Sequence, residues 1–191
     1  MKVRTLSMEG LLLIEPRVFT DHRGYFLETW SASRYAERGA GGTFVQDNLS
    51  RSTRHTLRGL HLQHPHDQGK LVTVMAGEVF DVAVDIRVGS PTFGLWAGAR
   101  LSEENHLQMY IPSGFAHGFC VMSDTALFAY KCTEPYHPES EIGLAWNDPQ
   151  IGIEWPVAEP LLSDRDRSNP TLKELLGDPG RLPRYVGSHG S

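Results

Sequence analysis

Five residues of this 191-residue chain carry groups that move protons on, or hold, a charged substrate: Arg58 and His61 in RGLHLQ (58–63), Lys70 in QGKLV (68–72), His117 in IPSGFAHGF (111–119) and Tyr130 in ALFAYKC (126–132). Guanidinium and ammonium groups pair with anionic oxygens, while imidazole and phenol exchange protons. A proton taken from a carbon beside a carbonyl leaves an enolate. A lysine aimed at that carbonyl oxygen stabilises the charge more in the transition state than in the ground state. A histidine titrating near ~6.5 suits the base at neutral pH, and a tyrosine near ~10 returns a proton from the other side. Two such groups on opposite faces of one carbon invert it. Each residue also has a plainer account. Tyr130 is spaced like any half-buried strand aromatic. Asp166, in LSDRD (162–166), resembles a turn or helix-cap aspartate. Arg58 and His61 point to opposite faces of a regular strand, so both serve one pocket only if Gly59 marks a bulge or a bend.

A second chemistry competes for the histidines. His64, His66, position 70 and Gly77 reproduce the spacing of a metal-binding cupin motif, and Pro112, Gly114 and His117 reproduce its partner. Position 70, however, is a lysine, and an ammonium where a carboxylate ligand belongs repels a divalent cation. Three imidazoles still bind zinc in an open site, so a metal-dependent cupin using His64, His66 and His117 stands as the alternative.

Strands must position these groups. The middle of the chain alternates with a period of two, and Ala76-Gly77 breaks residues 71–88 into two strands read as a hairpin, with Phe80, Val82, Val84 and Ile86 facing one way and Asp81, Asp85 and Arg87 the other. After the turn residues SPTFG (90–94), further strands are expected over 95–101, 107–111, 115–122 and 126–132, a spacing typical of a sandwich or barrel. Helical signals are confined to SASRYAER (31–38) and NPTLKELLGD (169–178), the latter with Pro170 at its start and Gly177 at its stop. The tail from about residue 178, rich in Gly and Pro, is expected to lie along the surface or fray. One domain is expected throughout 1–191. With 40% hydrophobic and 21% charged residues and a net charge of −5, the composition gives no footprint for nucleic acid or an anionic membrane. The early apolar run LLLI (11–14) is too short for a signal peptide or a span, which points to the cytoplasm. Cys120 and Cys132 fall in apolar strands outside any C-x-x-C pattern and are expected as buried free thiols.

Read from these residues alone, the chain is a β-barrel with a cationic, proton-transferring pocket. It also resembles the dTDP-4-dehydrorhamnose 3,5-epimerase family over nearly its whole length. The matching motifs include DHRGYFLE (21–28), QDNLS (46–50), LRGLHLQ (57–63), QGKLV (68–72), VFDVAVDIRVGSPTFG (79–94), IPSGFAHGF (111–119), YKCTEPYHPESE (130–141), WNDP (146–149), IEWP (153–156) and LSDRD (162–166). The resemblance implies a mainly β, cupin-type jelly roll and a cofactor-independent isomerase that inverts C3 and C5 of dTDP-4-dehydro-6-deoxy-D-glucose, with a 3- or 5-mono-epimerase as the neighbouring possibility. It implies His61 as proton-abstracting base, Asp166 as the carboxylate orienting it, Tyr130 as the opposing donor and Lys70 as the enolate stabiliser. Arg23, Glu28, Gln46, Asp47, Asn48, Arg58, His117, Glu141 and Arg165 match nucleotide-sugar contacts, and Tyr136 matches a ring that stacks on thymine. Residue 165 is Arg where the family pattern has Lys, which keeps the charge; residues from about Arg181 lie outside the resemblance. A homodimer with exchanged N-terminal strands is also implied, DHRGYFLE serving the neighbour's pocket.

Overall fold

Alternation becomes two antiparallel sheets laid face to face. In the computed structural model, which describes residues 1–187, the strands in chain order are β1 (Lys2–Thr5), β2 (Leu12–Glu15), β3 (Val18–Asp21), β4 (Gly24–Leu27), β5 (Gln46–Thr53), β6 (Leu57–Gln63), β7 (Lys70–Ala76), β8 (Glu78–Asp85), β9 (Trp96–Ser102), β10 (Gln108–Ile111), β11 (Phe115–Val121), β12 (Thr125–Cys132) and β13 (Glu141–Gly143). Short helices α1 (Ala32–Ala36), α2 (Asp164–Arg167) and α3 (Leu172–Leu175) lie outside the sheets. One sheet runs β1-β2-β10-β7-β12-β5, the other β13-β6-β11-β8-β9, and β3-β4 form a separate two-stranded ribbon. Strands β5 to β12 thus cross repeatedly between sheets, the jelly-roll order expected.

The expected hairpin at Ala76-Gly77 is not one. β7 pairs with β10 and β12, whereas β8 pairs with β9 and β11 in the opposite sheet. A single residue separates the two strands, fewer than the two needed to close a common antiparallel hairpin, so the chain changes sheets there. Gly77 makes this corner at φ +80°, and a Cβ on it would sit 2.2 Å from the Thr125 carbonyl oxygen.

Three apolar layers fix the sandwich. Between the sheets pack Val72, Val74, Met109, Ile111, Val79, Leu101, Phe115 and Phe128. Outside the five-stranded sheet, Leu60, Leu62, Val82, Val84 and Ile86 are covered by Ile151, Leu172 and Leu182 from the C-terminal segment. Outside the six-stranded sheet, Leu12, Ile14 and Leu71 meet Tyr35 of α1. Burying each such side chain fully is worth about 1.5–3 kcal/mol against exposure. Residues 178–187 lie against the body of the fold: Leu182 is buried, Arg184 forms a backbone bridge with Val88, and the Tyr185 hydroxyl donates to Glu9. The tail's last residues, 188–191, lie outside the described residues.

The N-cap of α1 is Ser31, as the sequence suggests. The C-terminal helix starts later than expected. Thr171 caps α3 in a reciprocal box with Glu174, leaving Pro170 one residue ahead of the cap. Both cysteines are free and buried.

Candidate active site

Along the interior of the sandwich the inward positions change from apolar to polar, and a cleft of about 490 Å³ opens there. From the five-stranded sheet it receives Arg58, His61 and His117; from the six-stranded sheet facing it come Ser50, Lys70 and Tyr130. A contiguous hollow of about 330 Å³ shares His61, Lys70, Tyr130 and Arg165 and adds Gln46, Asn48, Tyr136 and Glu141.

A bulge brings Arg58 and His61 into one wall. On β11, His117 faces His61 and Phe119 faces Arg58, so three steps on β6 match two on its partner. Gly59 lies inside that bulge at φ +123°, and a Cβ on it would fall 2.6 Å from Gly118 Cα. Only glycine fits.

His61 Nε2–H donates to Asp166 Oδ1 at 2.6 Å, which leaves the imidazole lone pair on Nδ1. Asp166 is buried in α2, whose N-cap Ser163 accepts the Asp166 amide at 3.0 Å. Burial works to raise the Asp166 carboxyl, but the hydrogen bond and charge of His61, with the Ser163 hydroxyl and the Gly59 amide, outweigh it and hold the group below its ordinary value. The site therefore keeps a carboxylate behind the ring.

Lys70 opens β7 beside Cys132 of β12. Its ammonium has no hydrogen-bond or ion-pair partner among the described residues, and burial depresses its pKa against the opposing pull of Cys132, Glu141 and Asp81. Arg58 hydrogen-bonds through Nε to Ser52 Oγ at 3.0 Å and has no carboxylate partner among the described residues. Two basic side chains thus face the cleft without a carboxylate partner among the described residues. Burial pushes the Tyr130 phenol above its ordinary value, with Cys132 adding to the effect and Arg58 opposing it, so the ring stays protonated at neutral pH.

At the outer end, Tyr136 is half exposed, its hydroxyl donates to Glu141 Oε2 at 2.5 Å, and its amide donates to Gln46 Oε1 at 2.9 Å. Arg165 bridges Glu141 at 2.8 Å. An open aromatic face above polar groups and guanidinium forks suits a planar base joined to phosphates.

Three sequence-matched residues are not in the cleft of this chain. Asp47 points to the other face of β5, because a period of two separates it from Gln46 and Asn48, and it pairs with Lys131 at 2.9 Å. Arg23 pairs with Asp21, and Glu28 with Arg34, on and beside the β3–β4 ribbon. The alternative metal set is not assembled either. His64 hydrogen-bonds Asp67, His117 lines the cleft, and among the described residues the group able to share an ion is His66, Glu134 and His137.

Asp81 was legible only as a strand aspartate on the face away from Phe80. It is fully buried, and its Oδ2 accepts from His117 Nε2 at 2.9 Å. Burial raises the Asp81 carboxyl, with His117 and Lys70 opposing. Val79 and Ala83 share its face, a pattern of apolar residues on both sides that marks a strand buried on both faces. His117 in turn stacks on Phe128, itself 4.0 Å from Phe119, so packed rings line the cleft floor.

Comparisons with known proteins agree with this arrangement. The family model described as dTDP-4-dehydrorhamnose 3,5-epimerase matches residues 5–174. The chain is 52% identical over 171 residues to the dTDP-4-dehydrorhamnose 3,5-epimerase of Methanothermobacter thermautotrophicus, covering 88% of this chain and 92% of that protein. It is 43% identical over 188 residues to a dTDP-4-dehydrorhamnose 3-epimerase of Streptomyces niveus, covering 97% and 90%. The crystal structure of dTDP-6-deoxy-D-glucose-3,5-epimerase from Legionella pneumophila in complex with dTDP-4-keto-L-rhamnose superposes with a TM-score of 0.93 at 52% identity, covering 97% of this chain and 99% of that one. With the match spanning both sheets and every strand that lines the cleft, the chain belongs to the dTDP-4-dehydrorhamnose 3,5-epimerase family.

Proposed function

We propose that this chain is a cytoplasmic dTDP-4-dehydrorhamnose 3,5-epimerase, a single cupin-type domain that inverts C3 and C5 of dTDP-4-dehydro-6-deoxy-D-glucose without a cofactor to give dTDP-4-dehydro-L-rhamnose. The observation that carries the reading is a carboxylate-backed histidine and a protonated tyrosine on opposing sheets of one cleft, with an unpaired lysine between the same walls.

In the proposed reaction the substrate's C4 ketone acidifies the neighbouring C–H bonds. His61 Nδ1 takes the proton from carbon, and the C–H electron pair moves into the enolate. Lys70 stabilises the new oxyanion, replacing solvent with a fixed charge in a half-enclosed site. Tyr130 delivers its hydroxyl proton to the opposite face, and the phenolate and imidazolium return to their starting states by exchange with water. Asp166 keeps His61 in the required tautomer and stabilises the imidazolium. Arg58 and Arg165 hold the diphosphate, Gln46, Asn48, His117 and Glu141 orient the sugar and nucleoside, and Tyr136 stacks on thymine.

Arg23 and Glu28 belong to this proposal through a homodimer. The β3–β4 ribbon exposes Phe19, Tyr25 and Phe26, and pairs with neither sheet. Such an apolar ribbon is covered by exchange with a second copy, which brings Arg23 and Glu28 to the neighbour's cleft.

A mono-epimerase is the second reading, favoured by the 43% identity to a relative named as a 3-epimerase. Turnover in D2O separates the two by NMR. Deuterium at both C3 and C5 supports double inversion; label at one carbon alone assigns the chain to the mono-epimerases, and no label removes the proposed reaction.

A further inference from the structure

Outside the cleft, two loops bring together ligand types that the proposed reaction does not use. His66 follows β6, while Glu134 and His137 follow β12. His66 Nδ1 and His137 Nε2 lie 3.9 and 4.0 Å from the same oxygen, Glu134 Oε1. These separations exceed a hydrogen bond. Two tetrahedral bonds of about 2.0–2.2 Å span roughly 3.4 Å, so these exposed side chains close by about half an ångström onto one small ion. The imidazole rings are stacked, 4.2 Å between centroids and 16° between planes, so one exposed ring turns about its χ2 bond for both nitrogens to address a common ion.

We propose that His66, Glu134 and His137 form a binding site for one divalent ion of the zinc class, with water completing the coordination. Imidazole nitrogens favour zinc, cobalt(II) or nickel over magnesium or calcium, and three protein ligands leave an open position. The ligands are mounted on a fixed frame. The buried amide of Gln63 donates through Nε2 to the His66 carbonyl at 2.6 Å and the Pro135 carbonyl at 3.1 Å, and its Oε1 accepts the His137 amide at 2.8 Å. Gln68 donates to the Glu134 carbonyl at 2.8 Å. His137 Nδ1–H donates to Glu139 Oε1 at 3.3 Å, which fixes the tautomer with Nε2 free to ligate, the outer-carboxylate arrangement common behind metal-bound histidines. All three ligand side chains reach solvent, so an ion has a path in. This site shares only His66 with the cupin-type set of His64, His66 and His117, and it stands whether or not the proposed epimerisation is right. Its consequence is local: the ion joins the loop after β6 to the loop bearing Tyr136.

Chelator-treated protein titrated calorimetrically with Zn2+, and with Co2+ as a visible-absorption probe, tests the site. One ion per chain is expected, with ligand-field bands for Co2+ at the same stoichiometry. His66→Asn and His137→Asn should each weaken binding by at least about 10-fold, and Glu139→Gln by roughly 10- to 100-fold through loss of the outer carboxylate. Near-UV circular dichroism of these surface variants should match the parent. Absence of stoichiometric binding to the parent, or equal affinity in the His66→Asn/His137→Asn double variant, overturns the proposal.

Discussion

His61 and Lys70 make opposite demands on pH, and the site's electrostatics sort them. In the proposed reaction His61 acts as the free base with Asp166 ionised behind it. His61→Asn should lower turnover by at least about 100-fold, the loss expected for a general base, while leaving substrate affinity within a few fold. Asp166→Asn keeps the shape but offers an amide to the ring, so kcat should fall by about 10²–10⁴ with little change in KM, measured by steady-state kinetics. Lys70 must stay protonated. Burial lowers its pKa below the ordinary 10.5, so the ammonium is lost as pH rises through that lowered value. The alkaline limb of the kcat profile should therefore fall below pH 10.5, and the residual activity of Lys70→Arg should lack it, because guanidinium does not titrate there. An unchanged limb in that variant would assign it to another group. The Tyr130 phenol, raised above its ordinary value by burial, stays protonated at neutral pH.

At the scale of elements, two short features hold the base in place. Ser163 caps α2 and so fixes Asp166; Ser163→Ala should cost about 1 kcal/mol of stability by denaturant melt and a larger share of kcat than of KM. Gly59 makes the β6 bulge; Gly59→Ala puts a methyl against the Gly118 backbone at a positive φ, and should destabilise by about 2–4 kcal/mol or displace Arg58 and His61 from the cleft. The period of two made most strands legible before any coordinates, including 95–101 and 126–132, which fold as β9 and β12 to within a residue. It could not say which strand pairs with which. The single glycine at 77 read as a hairpin break because periodicity is blind to a change of sheet. Asp81 was hidden for a related reason: alternation assigned its face correctly but not that a second sheet covers that face. The Gly59 bulge was foreseen as the condition on which Arg58 and His61 could share a wall, since two side chains of wrong parity require an irregular strand.

The whole molecule leaves one part of the site open. Chemistry-bearing side chains from β6, β7, β11, β12 and α2 meet in one cleft, yet Arg23 and Glu28, on and beside the β3–β4 ribbon, do not line it. The resemblance places them in a neighbour's cleft, and the fold of one chain cannot bring them into its own. Sedimentation should give a dimer. Arg23→Ala and His61→Asn, each impaired alone, should regain activity when co-expressed, since the mixed dimer contains one cleft with an intact His61 and an intact exchanged Arg23; failure to regain any would reject the exchange. The central claim is narrower: two proton carriers on opposite faces of a ketosugar. It is tested most directly by incubating Tyr130→Phe with substrate in D2O and following the sugar by NMR. With the base intact and the opposing donor gone, the account predicts deuterium entering the substrate at carbon with retained configuration while inversion falls by about 100-fold or more. Inversion at the parent rate in that variant, or loss of exchange together with inversion, would contradict it.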